Sequence, residues 1–206
     1  YPFSCLEQQT SKAVGLRDGK LWQTVVANLP TYLDSDGLAS YFPPRSGDAN
    51  TGSDTLTAYL LAATHEAAAI NPAFALPDEA RAPMERALIA FVEGRIQRNH
   101  WSPRKDLDMR KLAAIEALSR YGKAQGRMLS SITIAPNQWP THSVIDWVNV
   151  LKRVADVPER DKRLAEAMQI LRARLSFQGT KLIFSTEQDD YWWWLMQNGD
   201  VNTARL

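Results

Sequence analysis

The chain has 206 residues, 45% of them apolar and 23% charged, and its acidic and basic side chains nearly cancel to a formal net charge of +1. That length and apolar share suffice for a buried core and exclude an intrinsically disordered or collagen-like chain. The near-zero charge argues against a general nucleic-acid or anionic-membrane surface, no apolar run approaches bilayer-spanning length, and the single cysteine, Cys5, excludes an internal disulfide and a multi-cysteine zinc site.

Helical periodicity dominates the chain. A first helix is expected from near Cys5 towards Leu29, broken around Asp18-Gly19. A long turn-rich connection comes next, through Asp34-Ser35-Asp36-Gly37, Pro43-Pro44 and Asn50-Thr51-Gly52. Helical segments then run from Asp54 to Ile70 and from Asp78 to Gln97, with turns at Asn71-Pro72 and Ser102-Pro103. Leu112, Ile115, Leu118 and Tyr121 form the next apolar stripe, with Gly122 as C-cap. Val144, Trp147, Val148, Leu151 and Val154 form another, ended by Pro158. Leu164, Met168, Leu171 and Leu175 make the last, with Lys162, Arg163, Glu166 and Arg172 on its exposed face. Ser130 to Ile134 and Lys181 to Phe184 are expected as short extended pieces. The pattern predicts an all-α fold of antiparallel helical hairpins, which can curve into a solenoid or close into a ring; periodicity does not choose between the two.

The chain opens at Tyr1 without an initiator Met, charged n-region or apolar h-region, and Asp200 to Leu206 reads as a helix interrupted in mid-turn. It is therefore expected to be one domain, residues 1–206, of a longer multidomain polypeptide.

Chemistry concentrates in the first ten residues, Tyr1-Pro2-Phe3-Ser4-Cys5-Leu6-Glu7-Gln8-Gln9-Thr10. Ser4 followed by Glu7 fits a capping box, which makes Cys5 the first helical residue. Unpaired backbone N–H groups and the positive end of the helix dipole favour a thiolate there. Gln8, three residues on, shares the face of Cys5. A nucleophilic sulfur beside a carboxamide permits attack on the amide, loss of ammonia and an internal thioester between Cys5 and Gln8. Such a bond persists when shielded from water and acylates an amine or hydroxyl when exposed, without metal or cofactor. The plain structural alternative is a free cysteine packed as a small hydrophobe under a helix cap.

Cys-x-Glu-Gln after an aromatic-Pro lead-in resembles the thioester signature of the alpha-2-macroglobulin and complement superfamily, and the form Tyr-Pro-Phe-Ser-Cys-Leu-Glu-Gln is most similar to its bacterial members. The stretches Gly37 to Phe42 and Asp54 to Tyr59 are similar to the family's glycine-led segment and the helix after it. The resemblance implies an α/α toroid, with Cys5 as thioester sulfur, Gln8 as acyl donor, Glu7 as the acidic residue between them, and Tyr1, Pro2 and Ser4 leading in. It also implies a protease inhibitor rather than an enzyme, part of bacterial defence against proteases. Its partners are target proteases, acylated once at lysine amines, and the other domains of its own chain; the parent is periplasmic and anchored to the inner membrane as a lipoprotein. Leu6 and Ser4 stand where many eukaryotic members have glycine, and a bulkier residue inside the ring alters its strain. His100 lies where some complement proteins carry an acyl-accepting histidine, but its neighbours do not match and the role is not assigned to it.

The remaining singular residues read as structure. His65 in Thr64-His65-Glu66 has no second histidine four positions away, so a zinc-protease reading fails. His142 suits a helix start. Tyr191-Trp192-Trp193-Trp194 cannot all enter one core, so Trp192, Trp193 and Trp194 are a candidate interaction surface. Two other classes stay open: an interaction domain of the same superfamily whose thioester never forms, and an α/α-barrel enzyme acting on saccharides, for which Asp189 and Asp190 would have to supply carboxylates.

Overall fold

The computed structural model describes residues 5–99, 101–184 and 192–196, together with Asn202 and Arg205. The fold is all-α as the periodicity predicts: α1 (Leu6–Gly15), α2 (Gly19–Asn28), α3 (Asp54–Ile70), α4 (Asp78–Val92), α5 (Leu107–Arg120), α6 (Thr141–Arg153) and α7 (Arg160–Arg174). The one sheet among the described residues is a hairpin of β1 (Leu175–Gln178) and β2 (Lys181–Phe184). No helix among these residues is long and apolar enough to cross a membrane. The chain divides into two compact units, Tyr1–His100 and Trp101–Leu206.

In the first unit, α1 and α2 are separate because Asp18 turns the chain and caps α2, its carboxylate accepting from the Lys20 and Leu21 N–H groups. Leu6, Ala13, Trp22 and Val25 of this pair are buried, as are Leu56, Leu60 and Leu61 of α3 and Met84, Leu88 and Phe91 of α4. Trp22 packs on Phe74, ring centroids 6.0 Å apart, where a single 3-10 turn (Pro72–Phe74) comes after α3. Helix α4 ends at Val92, short of the expected Gln97. Gly94 takes φ +79°, the Arg95 N–H donates to the Ala90 carbonyl and the Gly94 N–H to Phe91, a Schellman stop that frees Arg98 to turn inward.

The long connection between α2 and α3 is an ordered strap. Leu33 and Ala39 pair as an isolated antiparallel bridge, and the Ser40 N–H donates to the Tyr32 carbonyl. The buried Asp34 carboxylate accepts from the Asp36, Leu38 and Gly52 N–H groups and from the Arg98 guanidinium at 2.7 Å. Arg98 also donates to the Gly52 carbonyl and to Asp36. Burial pulls the Arg98 pKa down, and hydrogen bonds and charge from Asp36 and Asp34 outweigh that and raise it. Gly52 is where the strap touches itself: a Cβ there would lie 2.5 Å from Leu38 Cβ and 2.6 Å from the Leu38 carbonyl oxygen. Neither atom can move without moving the backbone. Gly52→Ala is therefore expected to destabilise the chain by about 2–3 kcal/mol, read as a lowered urea midpoint at unchanged slope.

In the second unit α6 packs against both α5 and α7. The first two predicted stripes supply most of its core: Leu112, Ile115, Leu118, Val144, Trp147, Val148 and Leu151 are all buried, and Trp139 meets Trp147 edge-on at 6.1 Å, whereas Tyr121 is half-buried and of the third stripe Leu171 is buried but Leu164 and Met168 are half-buried. Gly122 closes α5 as expected, with φ +67° and the Lys123 N–H on the Leu118 carbonyl. Glu116, 2% exposed, is paired by Arg120 and Arg153. Three expectations need correction. Gly126–Ser131 is a 3-10 segment rather than part of an extended piece over Ser130 to Ile134. Helix α6 stops at Arg153, and Val154, extended at φ −100° and ψ 106°, is its C-cap rather than a helical residue. Leu175, the last member of a helical stripe by spacing, instead opens β1 opposite Phe184, and Gly179 at φ +64° makes the two-residue turn. Asn202 and Arg205 are helical, Arg205 pairing with Asp146, which agrees with the helix expected at the chain's end.

Candidate functional site: the entrance of the first helix

Cys5 is extended, with φ −73° and ψ 166°, so the first helical residue is Leu6 and Cys5 is the N-cap. This corrects the expected Ser4–Glu7 box by one position. The capping box is formed by Cys5 and Gln8: the Cys5 N–H donates to Gln8 Oε1 at 3.3 Å, and the Gln8 N–H faces the Cys5 side chain. The physical cause is the strap. The Leu6 N–H donates to the Tyr41 carbonyl at 2.9 Å, which fixes Leu6 as the first turn of the helix and leaves Cys5 just outside it.

The arrangement sets sulfur and carboxamide reciprocally, each side chain turned towards the other residue's backbone across one helical turn. Cys5 and Glu7 are half-buried, Gln8 is exposed, and Leu6 between them is buried at 1% exposure. Leu6 therefore anchors the motif from below, while the carboxamide of Gln8 is exposed and Cys5 stays half-buried beside it. A sulfur with no other thiol in the chain, held one turn from a carboxamide, has the makings of an intramolecular acyl transfer.

Around this pair lie groups that spacing did not single out. Glu7 Oε1 accepts from Ser11 Oγ at 2.8 Å, and Ser11 Oγ meets the Tyr59 hydroxyl of α3 at 2.6 Å. The Tyr41 phenol is pushed above its ordinary pKa by burial first, then by the charges of Cys5, Glu7 and Asp54. Tyr59 is likewise raised by burial, which together with the charge of Glu7 outweighs the opposing hydrogen bond with Ser11. Both phenols are thus neutral donors at physiological pH. Gln9 Nε2 donates to Tyr32 OH at 3.0 Å, tying α1 to the start of the strap. The signal that could have found Tyr41 and Tyr59 was present, since both fall in the stretches Gly37 to Phe42 and Asp54 to Tyr59.

Other predicted residues fall elsewhere. Tyr1, Pro2, Ser4, His100, Asp189, Asp190 and Tyr191 lie outside the described residues, as does the side chain of Trp193. Trp192 is 7% exposed, set edge-on to His142 at 5.8 Å and tilted on Trp194 at 5.0 Å, with the Arg104 guanidinium 5.2 Å over its ring. Its indole is thus packed inside the second unit rather than displayed on a surface. Trp194 is half-buried and donates to Asp106 at 3.0 Å. His142, 3% exposed near the start of α6, belongs to this packing. No group of three or more His, Cys, Asp or Glu among the described residues could hold a metal ion.

No family model matches the sequence, and no curated protein matches it. Two solved structures share the fold. One is a cryo-EM reconstruction of Escherichia coli alpha-2-macroglobulin in its native conformation, with a TM-score of 0.57 and 17% identity over 83% of this chain. The other is the crystal structure of native alpha-2-macroglobulin from Escherichia coli spanning domain MG7 to the C-terminus, with a TM-score of 0.57 and 15% identity over 82% of this chain. The chain spans 12% of the first of these and 29% of the second.

Proposed function

We propose that this chain is the thioester-bearing domain of an alpha-2-macroglobulin-like protease inhibitor, in which Cys5 and Gln8 form an internal thioester that acylates a lysine of an attacking protease. The observation that carries the reading is the reciprocal cap of Cys5 and Gln8 at the entrance of α1, in a fold shared with Escherichia coli alpha-2-macroglobulin. Forming the bond removes ammonia from Gln8 and joins its carbonyl carbon to Cys5 Sγ. An amine then attacks that carbon, the C–S bond breaks, and the Cys5 thiol is released. The reaction runs once per molecule, so the chain is a trap and not a catalyst. With this reading go, as parts of the same proposal, a periplasmic parent anchored to the inner membrane as a lipoprotein and contacts with that parent's other domains.

Methylamine tests it. The native chain should react poorly with a thiol-alkylating reagent, then gain one methylamine on Gln8 and one newly alkylatable thiol at Cys5 in equal amounts. Immediate alkylation of Cys5 in a chain of unmodified mass would instead favour a helical interaction domain that never forms the bond.

A further inference from the structure

The reacting carbon of the proposed function is the Gln8 carboxamide carbon, and one hydrogen bond fixes how it is presented. The Cys5 backbone N–H donates to Gln8 Oε1 at 3.3 Å. A backbone N–H can only donate, so it selects the oxygen end of the carboxamide and turns the nitrogen end away. Gln8 is exposed, which leaves departing ammonia a way out. Across the same turn the Gln8 N–H faces the Cys5 side chain. Both N–H groups belong to the set that a helix leaves unpaired at its start, and the Leu6 N–H of that set is already taken by the Tyr41 carbonyl. The two atoms that gain charge in acyl transfer, carbonyl oxygen and sulfur, thus each meet a backbone donor at the entrance of α1. We infer that the Cys5 backbone N–H is the oxyanion donor of this site, acting on Gln8 Oε1 when the thioester forms and again when it is cleaved, with the Gln8 N–H as the donor to sulfur.

Both steps balance without any further reagent. In formation, Cys5 Sγ attacks Gln8 Cδ, the C–S bond forms, and the carbonyl electron pair moves onto Oε1, where the Cys5 N–H meets it. The pair returns, the C–N bond breaks, and the thiol proton leaves with the nitrogen as ammonia. In capture, a neutral amine attacks the same carbon, a C–N bond forms, and Oε1 again takes the charge. The C–S bond then breaks, its electron pair stays on Sγ, and the proton lost from nitrogen makes the thiol. A donor on the oxygen lowers these barriers whatever the nucleophile. A peptide N–H carries no titratable charge, so its benefit should not vary with pH.

This inference rests on the thioester reading, and the experiment separates the two. In the 206-residue chain, Cys5 is replaced by its α-hydroxy analogue, which keeps the sulfur and exchanges the N–H for an ester oxygen. The same exchange at Gln9 is the control, since the Gln9 N–H donates to the Cys5 carbonyl at 3.0 Å and not to the Gln8 side chain. Each chain is first checked for the mass deficit of one ammonia, and thiol release is then followed with methylamine, with hydroxylamine and in buffer alone, across pH. Gln8 is open to water, so the expected loss falls below the ~100-fold of a closed oxyanion hole, at about 10-fold. It should be equal for all three nucleophiles and at every pH, and the Gln9 ester should match the parent. A Cys5 ester that stays at full mass while the Gln9 ester closes its thioester also supports the role. Independently of any variant, the isotope-labelled parent should show a spin coupling across the hydrogen bond, between the Cys5 nitrogen and Gln8 Cδ, in its thioester form. Absence of that coupling overturns the oxyanion role, as does a Cys5 ester reacting at the parent rate, or a loss that the Gln9 ester shares in full. A parent chain with no mass deficit overturns the thioester, and the role of the Cys5 N–H with it.

Discussion

Replacing Cys5 with serine is expected to abolish methylamine incorporation completely while leaving the fold as stable as before. The two halves of that result come from different physics. Serine is a preferred N-cap residue, and its hydroxyl can accept from the Gln8 N–H where sulfur now faces it. Cys5 is half-buried, so the change of volume is small, and the helix should hold within about 0.5 kcal/mol. The chemistry has no such substitute. An aliphatic hydroxyl is almost wholly protonated at neutral pH and is a poor leaving group, so it neither displaces ammonia from Gln8 nor yields an activated acyl group. Superimposable thermal melts with no incorporated methylamine is the predicted outcome. Incorporation at Gln8 in the serine variant would show that the glutamine is modified by some route not involving Cys5.

The second large effect is on stability, at Arg98. Its side chain is 3% exposed and Asp34 beneath it 1%, so removing the guanidinium leaves a carboxylate in the core with backbone N–H partners and no counter-charge. Breaking a buried pair from one side typically costs about 3–5 kcal/mol. Arg98→Met, which keeps most of the side-chain volume, is therefore expected to lose stability in that range by urea denaturation. Asp34→Asn should lose less, because the amide oxygen can still accept while the buried negative charge is gone. Loss at Arg98 also loosens the strap that carries Tyr41 to the Leu6 N–H. Under the proposed function, the variant should then hydrolyse its thioester faster than the parent even below its unfolding midpoint.

The helices were legible because burial imposes a period. Leu112, Ile115 and Leu118 recur at helical spacing, and all three are buried in one core. Asp18 was legible as a break because an aspartate before a glycine both turns the chain and caps the next helix. The misses have different causes. Leu175 fits its stripe by spacing, yet Phe184 draws it into a strand. Gly94 stops α4 by the same αL geometry as Gly122, but the apolar pattern runs on past it to Ile96 and masks the stop.

At the candidate site the local pair was readable and its surroundings were not. Cys5 and Gln8 are three residues apart, and any helix beginning there sets them one turn from each other. Which residue becomes the N-cap depends on a hydrogen bond from Leu6 to the distant Tyr41, and no local rule contains it. Ser11 and Tyr59, separated by 48 positions, meet only because α1 packs on α3. Trp192 shows the opposite error. Three adjacent tryptophans suggested a surface, but the bulk of Trp192 is absorbed by His142, Trp194 and Arg104.

The most direct measurement is the mass of the freshly purified chain, kept at neutral pH and away from amines, with the peptide spanning Cys5 and Gln8 mapped by fragmentation. The prediction is a chain lighter than its sequence by one ammonia, with the deficit confined to a Cys5–Gln8 cross-link and abolished by hydroxylamine. A chain of full sequence mass, with a free thiol at Cys5 and an intact carboxamide at Gln8, would contradict the account.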